Sequence, residues 1–170
     1  GNRSLGEHRM GVFDALDDAV RIDGGGVVQR HAELQRRVEA LQDVHVVGQR
    51  HALARLPGRK LLFSNAPRHY VDGVIDALGV ARYFDAVYTI ENTRFKPKPS
   101  FQGFRVLLRR HHLDPGRCAL VDDMLENLRT AKRMGMATVW VSREKKNLSY
   151  VDLRITSVTQ LPGLVFRYSH

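Results

Sequence analysis

One cysteine, Cys118, stands in a chain of 170 residues. A lone thiol cannot close an internal disulfide, and its place in an apolar run suits a buried, inert side chain. A reducing, cytoplasmic setting is the expectation. No apolar run approaches the roughly 18 residues that a membrane span requires. The N-terminus shows no apolar core of a secretory signal. Acidic residues are scarce: 18 Asp and Glu stand against 27 Lys and Arg, a net charge of +9. That balance invites a nucleic-acid partner, yet the basic residues are scattered. Arg109-Arg110 and Lys145-Lys146 are short clusters without interleaved aromatics, and no zinc-finger, RNA-recognition or helix-turn-helix pattern is present. The charge favours an anionic partner, and a small phosphorylated substrate satisfies it without any polymer. Gly24-Gly25-Gly26 lacks the Lys-Ser/Thr or G-x-G-x-x-G context of a phosphate loop and reads as a linker.

What is present becomes regular from Lys60 onward. Residues 1–52 read as an atypical segment, helical in part or disordered, with an apolar pattern at Val28, Leu34, Val38 and Leu41. Residues 53–170 read as a folded core. Lys60-Leu61-Leu62-Phe63 is a buried strand followed by Ser64-Asn65-Ala66, and Pro67 opens a helix that stops at Gly79. Phe84 to Ile90 is a second strand. Lys96-Pro97-Lys98-Pro99 is an extended loop, since a proline at every second position excludes helix. A helix over 101–112 follows. Cys118 to Val121 is a strand ending at Asp122-Asp123, then a helix to Gly135, then a strand over Ala137 to Val141. A short strand near Leu153-Ile155 and a helix from Ser157 to Val165 complete the chain. Alternation of this kind predicts an α/β, Rossmann-like parallel sheet with helices on both faces.

Ligands of such sheets bind beyond the carboxyl ends of the strands. Ser64, Lys98 and the Asp122-Asp123 pair all fall there. A hydroxyl followed by amides at a helix start cradles phosphate, an ammonium offsets phosphoryl charge, and paired carboxylates hold a hard cation such as Mg²⁺. Each has a plainer reading. Ser64 could be an N-cap, Lys98 a solvated loop residue, and Asp123 a helix cap with Glu126 three residues on.

The order LLFSN, KPKPSFQGF and ALVDDMLENLRTAKRMGMATVWV resembles motifs two, three and four of the haloacid dehalogenase-like hydrolases, with pyrimidine 5′-nucleotidase-like phosphatases as the nearest subgroup. The resemblance covers about Leu53 to Leu164. It implies that Ser64 hydrogen-bonds a phosphoryl group, with Asn65 beside it. It matches Lys98 rather than Lys96 to the family lysine, because Phe104 stands six positions on. It makes Asp123 a Mg²⁺ ligand, Asp122 its supporting neighbour and Asn127 the residue that orients the acidic loop. The implied activity is Mg²⁺-dependent hydrolysis of phosphate monoesters, nucleoside monophosphates among them.

Motif one and the cap are missing or atypical. The family's nucleophile lies in a D-x-D-x-T loop after the central strand, and no such pattern occurs. Val12-Phe13-Asp14-Ala15-Leu16-Asp17-Asp18-Ala19 comes nearest. There Asp14 and Asp17 are three apart instead of two, and Ala19 stands where Thr is expected. Residues 9–14, or a partner chain, are expected to fill the central strand position. An enzyme, a non-catalytic phosphate- or nucleotide-binding module or fragment, and a basic nucleic-acid-binding domain remain the alternatives. Oligomeric state is not legible.

Overall fold

The computed structural model describes residues 44–165. The expected elements around Val28–Leu41, the triple glycine and the Val12–Asp14 strand lie outside the described residues. Helix α1 spans Val44–Arg55, so it runs across the expected division between residues 52 and 53. The remaining elements are β1 Leu61–Phe63, α2 Arg68–Ala77, β2 Ala86–Tyr88, α3 Phe101–Arg110, β3 Ala119–Asp122, α4 Leu125–Arg133, β4 Ala137–Val141, β5 Leu153–Ile155 and α5 Leu161–Val165. No helix of the described residues is long and apolar enough to cross a membrane.

All strand pairings are parallel, as the βα alternation requires, but the sheet is in two parts. β1 pairs with β2, while β3, β4 and β5 form a separate ladder in that order. Among the described residues, β1 and β3 each keep one edge without a ladder partner. Unpaired N–H and C=O rows in mid-sheet are an unstable arrangement unless a further strand satisfies them.

Helices cover both faces. Leu62 of β1 packs with Leu53 of α1 and Val71, Val74 and Ile75 of α2. Its neighbours Leu61 and Phe63 turn the other way, onto Phe104 and Leu107 of α3 and Ala131 of α4. This is the period-two alternation of a strand buried on both sides. β4 and β5 bury Val139, Val141 and Ile155 against Leu161. The expected final helix is divided into a 3₁₀ turn, Val158–Gln160, and α5.

His111 ties the opposite end of α3 to β1. The Arg59 guanidinium donates to its carbonyl at 3.0 Å and to its Nδ1 at 3.1 Å. A guanidinium only donates, so Nδ1 is the acceptor and the proton sits on Nε2, which is buried without a partner. The ring meets Tyr88 edge-on at 5.2 Å. Burial, with the Arg59 charge second, lowers the His111 pKa from its ordinary 6.5. A histidine depressed in the fold supplies stability above its unfolded pKa and loses it as the pH falls through that value. Thermal melts should therefore show stability declining below pH 6.5, with that component absent in His111→Phe. An unchanged slope in the variant would assign it to another group.

Candidate active site at the carboxyl ends of the strands

β3 runs one residue further than the sequence pattern predicts, because Asp122 still pairs in register with Trp140. That extra rung places Asp122 on the same sheet face as Leu120, towards α3 and α4. Its side chain is 5% exposed. One oxygen, Oδ2, accepts from Lys98 Nζ at 2.8 Å. The other, Oδ1, accepts from the Met124 amide at 2.9 Å and from Asn127 Nδ2 at 3.0 Å. The carboxylate that holds the start of α4 is thus Asp122. The alternative reading of Asp123 as a cap with Glu126 does not match: Met124 occupies the N-cap position, and it makes no side-chain cap bond. Asn127 does orient the acidic loop, through Asp122.

Asp123 follows β3 and is half-buried, its carbonyl accepting from Trp140 Nε1 at 3.0 Å. Adjacent carboxylates repel unless a cation lies between them or beside them. Here the protein supplies that cation itself, as Lys98.

Lys98 is held from three directions. Asn65 donates from Nδ2 to the Lys98 carbonyl at 3.0 Å and accepts the Lys98 amide on Oδ1 at 2.7 Å. Asn65 is therefore a clasp on the loop backbone, a role its neighbourhood with Ser64 did not reveal. The ammonium lies 5.3 Å from the centre of the Phe63 ring, which meets Phe104 edge-on at 5.3 Å. Side-chain exposure of Lys98 is 13%. Lys96 is exposed and forms no ion pair with Asp122.

Gly103 is the residue that sequence reasoning passed over. A Cβ there would lie 2.5 Å from the Lys96 carbonyl oxygen, so only glycine lets the loop rest on α3. Glycine inside a helix costs about 1 kcal/mol against alanine, and that cost was the available signal of close backbone approach.

Ser64 extends the β1–β2 ladder by donating its amide to the Tyr88 carbonyl at 2.8 Å. Its Oγ accepts from the Ala66 amide at 3.1 Å. The Arg68 amide is taken by Glu91 Oε1 at 3.0 Å, and Pro67 has no amide to give. The expected cradle of amides at the start of α2 thus loses those of Ala66 and Arg68, which Ser64 and Glu91 occupy. Glu91 also accepts from Thr89 Oγ1 at 2.6 Å. That bond, with the Arg68 amide behind it, draws the Glu91 carboxyl below its ordinary range.

The β2–α3 loop between these groups is tightly turned. Arg94 and Phe95 are consecutive non-glycine residues with positive φ, 53° and 57°, each costing about 1–2 kcal/mol. The Phe95 amide donates back to Ile90 at 3.0 Å, and Lys96 to Thr93 at 3.2 Å.

A hard divalent cation takes six or more oxygen ligands. Among the described residues, no group of three or more His, Cys, Asp or Glu side chains is placed to hold one. Asp122 spends both oxygens on protein donors.

Parallel strands flanked by helices, with Ser64, the Lys98 loop and Asp122 at their carboxyl ends, define an α/β, Rossmann-like class. The chain belongs to the haloacid dehalogenase-like hydrolase family, whose description matches residues 2–135. That match begins well ahead of Leu53 and takes in Asp14, so it embraces the segment that the motif reading left outside. Comparison with curated proteins finds no match. Among solved structures, L-2-haloacid dehalogenase from Xanthobacter autotrophicus with covalently bound chloropropionic acid is 18% identical, with a TM-score of 0.64 over 72% of this chain and 60% of that one. A phosphatase of this family from Thermococcus onnurineus is 22% identical, with a TM-score of 0.63 over 78% and 63%. The hydrolase YfnB from Bacillus subtilis, solved with magnesium bound, is 16% identical, with a TM-score of 0.65 over 90% and 69%. The chain spans 60% of the length of the Xanthobacter enzyme. At these identities the likeness is one of fold.

Proposed function

We propose that this chain carries the phosphoryl-handling apparatus of a Mg²⁺-dependent phosphoric monoester hydrolase, with nucleoside monophosphates in its range. The observation that carries the reading is the Lys98–Asp122 pair, an ammonium held within hydrogen-bond distance of a buried carboxylate at the strand tips. Water exclusion strengthens what such a fixed charge does for a phosphoryl group. In this reading the Ser64 hydroxyl and the Asn65 amide donate to phosphoryl oxygens. Lys98 offsets their charge, while Asp122 and Asn65 hold Lys98 in place. Asp123 would hold Mg²⁺, which when bound shields the phosphoryl group from an anionic nucleophile. Asp14 is the carboxylate whose sequence context best suits that nucleophile, provided residues 9–14 take the position between β1 and β3.

A second reading, a phosphate- or nucleotide-binding module without turnover, is favoured by one specific observation: the Lys98 charge is already matched by Asp122. Phosphate release from p-nitrophenyl phosphate, with and without Mg²⁺, separates the two. Turnover should require Mg²⁺, fall about 10²-fold in Lys98→Ala, and be abolished in Asp14→Asn and Asp123→Asn. Retained phosphate binding without turnover in the parent chain would leave only the binding module. Activity that survives Asp14→Asn would remove Asp14 as nucleophile. Halide release from 2-chloropropionate in place of phosphate release would move the chain to dehalogenase chemistry.

A further inference from the structure

The large apolar side chains most exposed among the described residues are few, and they are not spread evenly. Val47 lies on α1, and Phe101 has the Arg133 guanidinium over its ring at 4.9 Å. The other two, Phe95 at 70% exposed and Met124 at 43%, sit on the loops that leave the carboxyl ends of β2 and β3. The first of those loops also carries Lys98, and the second begins directly after Asp122. Each exposed apolar residue therefore stands within three residues of a member of the charged pair.

Phe95 is held outward by a rigid support. Its backbone is in the left-handed region, as is that of Arg94. Its own amide is fixed to Ile90, and the next carbonyl, that of Lys96, rests on α3 at Gly103. A flexible loop would relax both the unfavourable dihedrals and the exposed ring. Strained backbone that the surrounding structure maintains collects at ligand clamps. Arg94 and Lys96, the residues before and after Phe95, are exposed and have no ion-pair partner among the described residues. A cation, an aromatic face and a second cation together match a ligand that is both aromatic and anionic.

The reach is suitable. Phe95 is three residues from Lys98, so their Cα atoms are at most about 11 Å apart. A phosphate held at Lys98 and Ser64 can present an aromatic group across that distance.

We propose that the Arg94–Phe95–Lys96 tip is the leaving-group subsite, with the Phe95 ring stacking on the aromatic group of a phosphomonoester. This deepens the phosphatase reading and rests on it for the phosphoryl end. The subsite would make the enzyme prefer aromatic esters, nucleotides included, over small aliphatic ones.

Binding and turnover test it separately. Phenylphosphonate and methylphosphonate, which are not hydrolysed, are titrated calorimetrically into the parent chain, Phe95→Asn and Phe95→Tyr. Asparagine tolerates the left-handed backbone and so keeps the loop while removing the ring. The parent should bind phenylphosphonate about tenfold more tightly, the size of one stacking contact. Phe95→Asn should lose that preference with methylphosphonate binding unchanged, and Phe95→Tyr should keep it. In turnover, Phe95→Asn should raise KM for phenyl phosphate about tenfold and leave kcat and glycerol phosphate hydrolysis as they were. A parent without the phenyl preference, or a preference that survives Phe95→Asn, overturns the subsite. A preference lost as expected in a chain that hydrolyses neither ester upholds the subsite and overturns the phosphatase reading.

Discussion

Asp122→Ala should destabilise the chain by about 3–5 kcal/mol, the range for leaving one member of a buried ion pair alone. Two further losses accompany the ammonium: the Met124 amide and the Asn127 side chain give up their acceptor, as both now donate to Asp122 Oδ1. Trp140 is the natural reporter. It is the only tryptophan, is 3% exposed, and pairs in register with Asp122. Urea unfolding followed by its fluorescence gives the difference directly. The double variant Asp122→Leu with Lys98→Met should recover much of the loss, because replacing both charges with apolar groups removes the desolvation penalty as well as the attraction. A single-variant loss under about 1 kcal/mol, typical of solvated pairs, would show that water reaches this pair freely.

Phe104→Ala should cost a comparable amount, about 3–5 kcal/mol. Phe104 is 0% exposed. Its ring supports Phe63 at 5.3 Å, and Phe63 in turn lies under the Lys98 ammonium at 5.3 Å. The cavity would therefore open below the Lys98–Asp122 pair, and under the proposed phosphatase function catalytic efficiency should fall along with stability. Phe101→Ala on the same helix is the comparison. That side chain is 36% exposed, and its loss should stay within about 0.5 kcal/mol. Equal losses at the two positions would mean that α3 does not pack as described. Because Phe104 stands six residues after Lys98, its effect also tests whether that spacing supports the lysine.

The order of elements and the strand tips that carry chemistry were legible because they rest on local pattern. Apolar runs, the glycine after α4 and the proline-spaced lysines act over a few residues, and these put Ser64, Lys98 and the aspartate pair after successive strands. The preference for Lys98 over Lys96 came from the family resemblance. Where the prediction failed, the deciding contacts were long-range. Lys98 meets Asp122 across 24 residues, and Asn65 clasps Lys98 across 33. Moving a strand end by one residue turns its side chain to the opposite face. Sequence pattern could not place that end within one residue, so it could not say which aspartate would face the lysine. Nor could it show that Ser64 and Glu91 occupy the amides at the start of α2, since Glu91 arrives from another loop.

By itself, then, the sequence determined a parallel α/β scaffold, the placing of Ser64, Lys98 and the Asp122-Asp123 pair after successive strands, and the departure of the stretch around Asp14 from the D-x-D-x-T pattern. Only the tertiary structure decided the division of labour. Asp122 is the buried partner of Lys98 because it closes the β3 ladder, and Asp123, one residue beyond it, is not. Asn65 grips the loop, and Gly103 gives that loop its seat. Each assignment depends on which groups folding brings within hydrogen-bond distance, a property of strand register and packing that local periodicity does not encode.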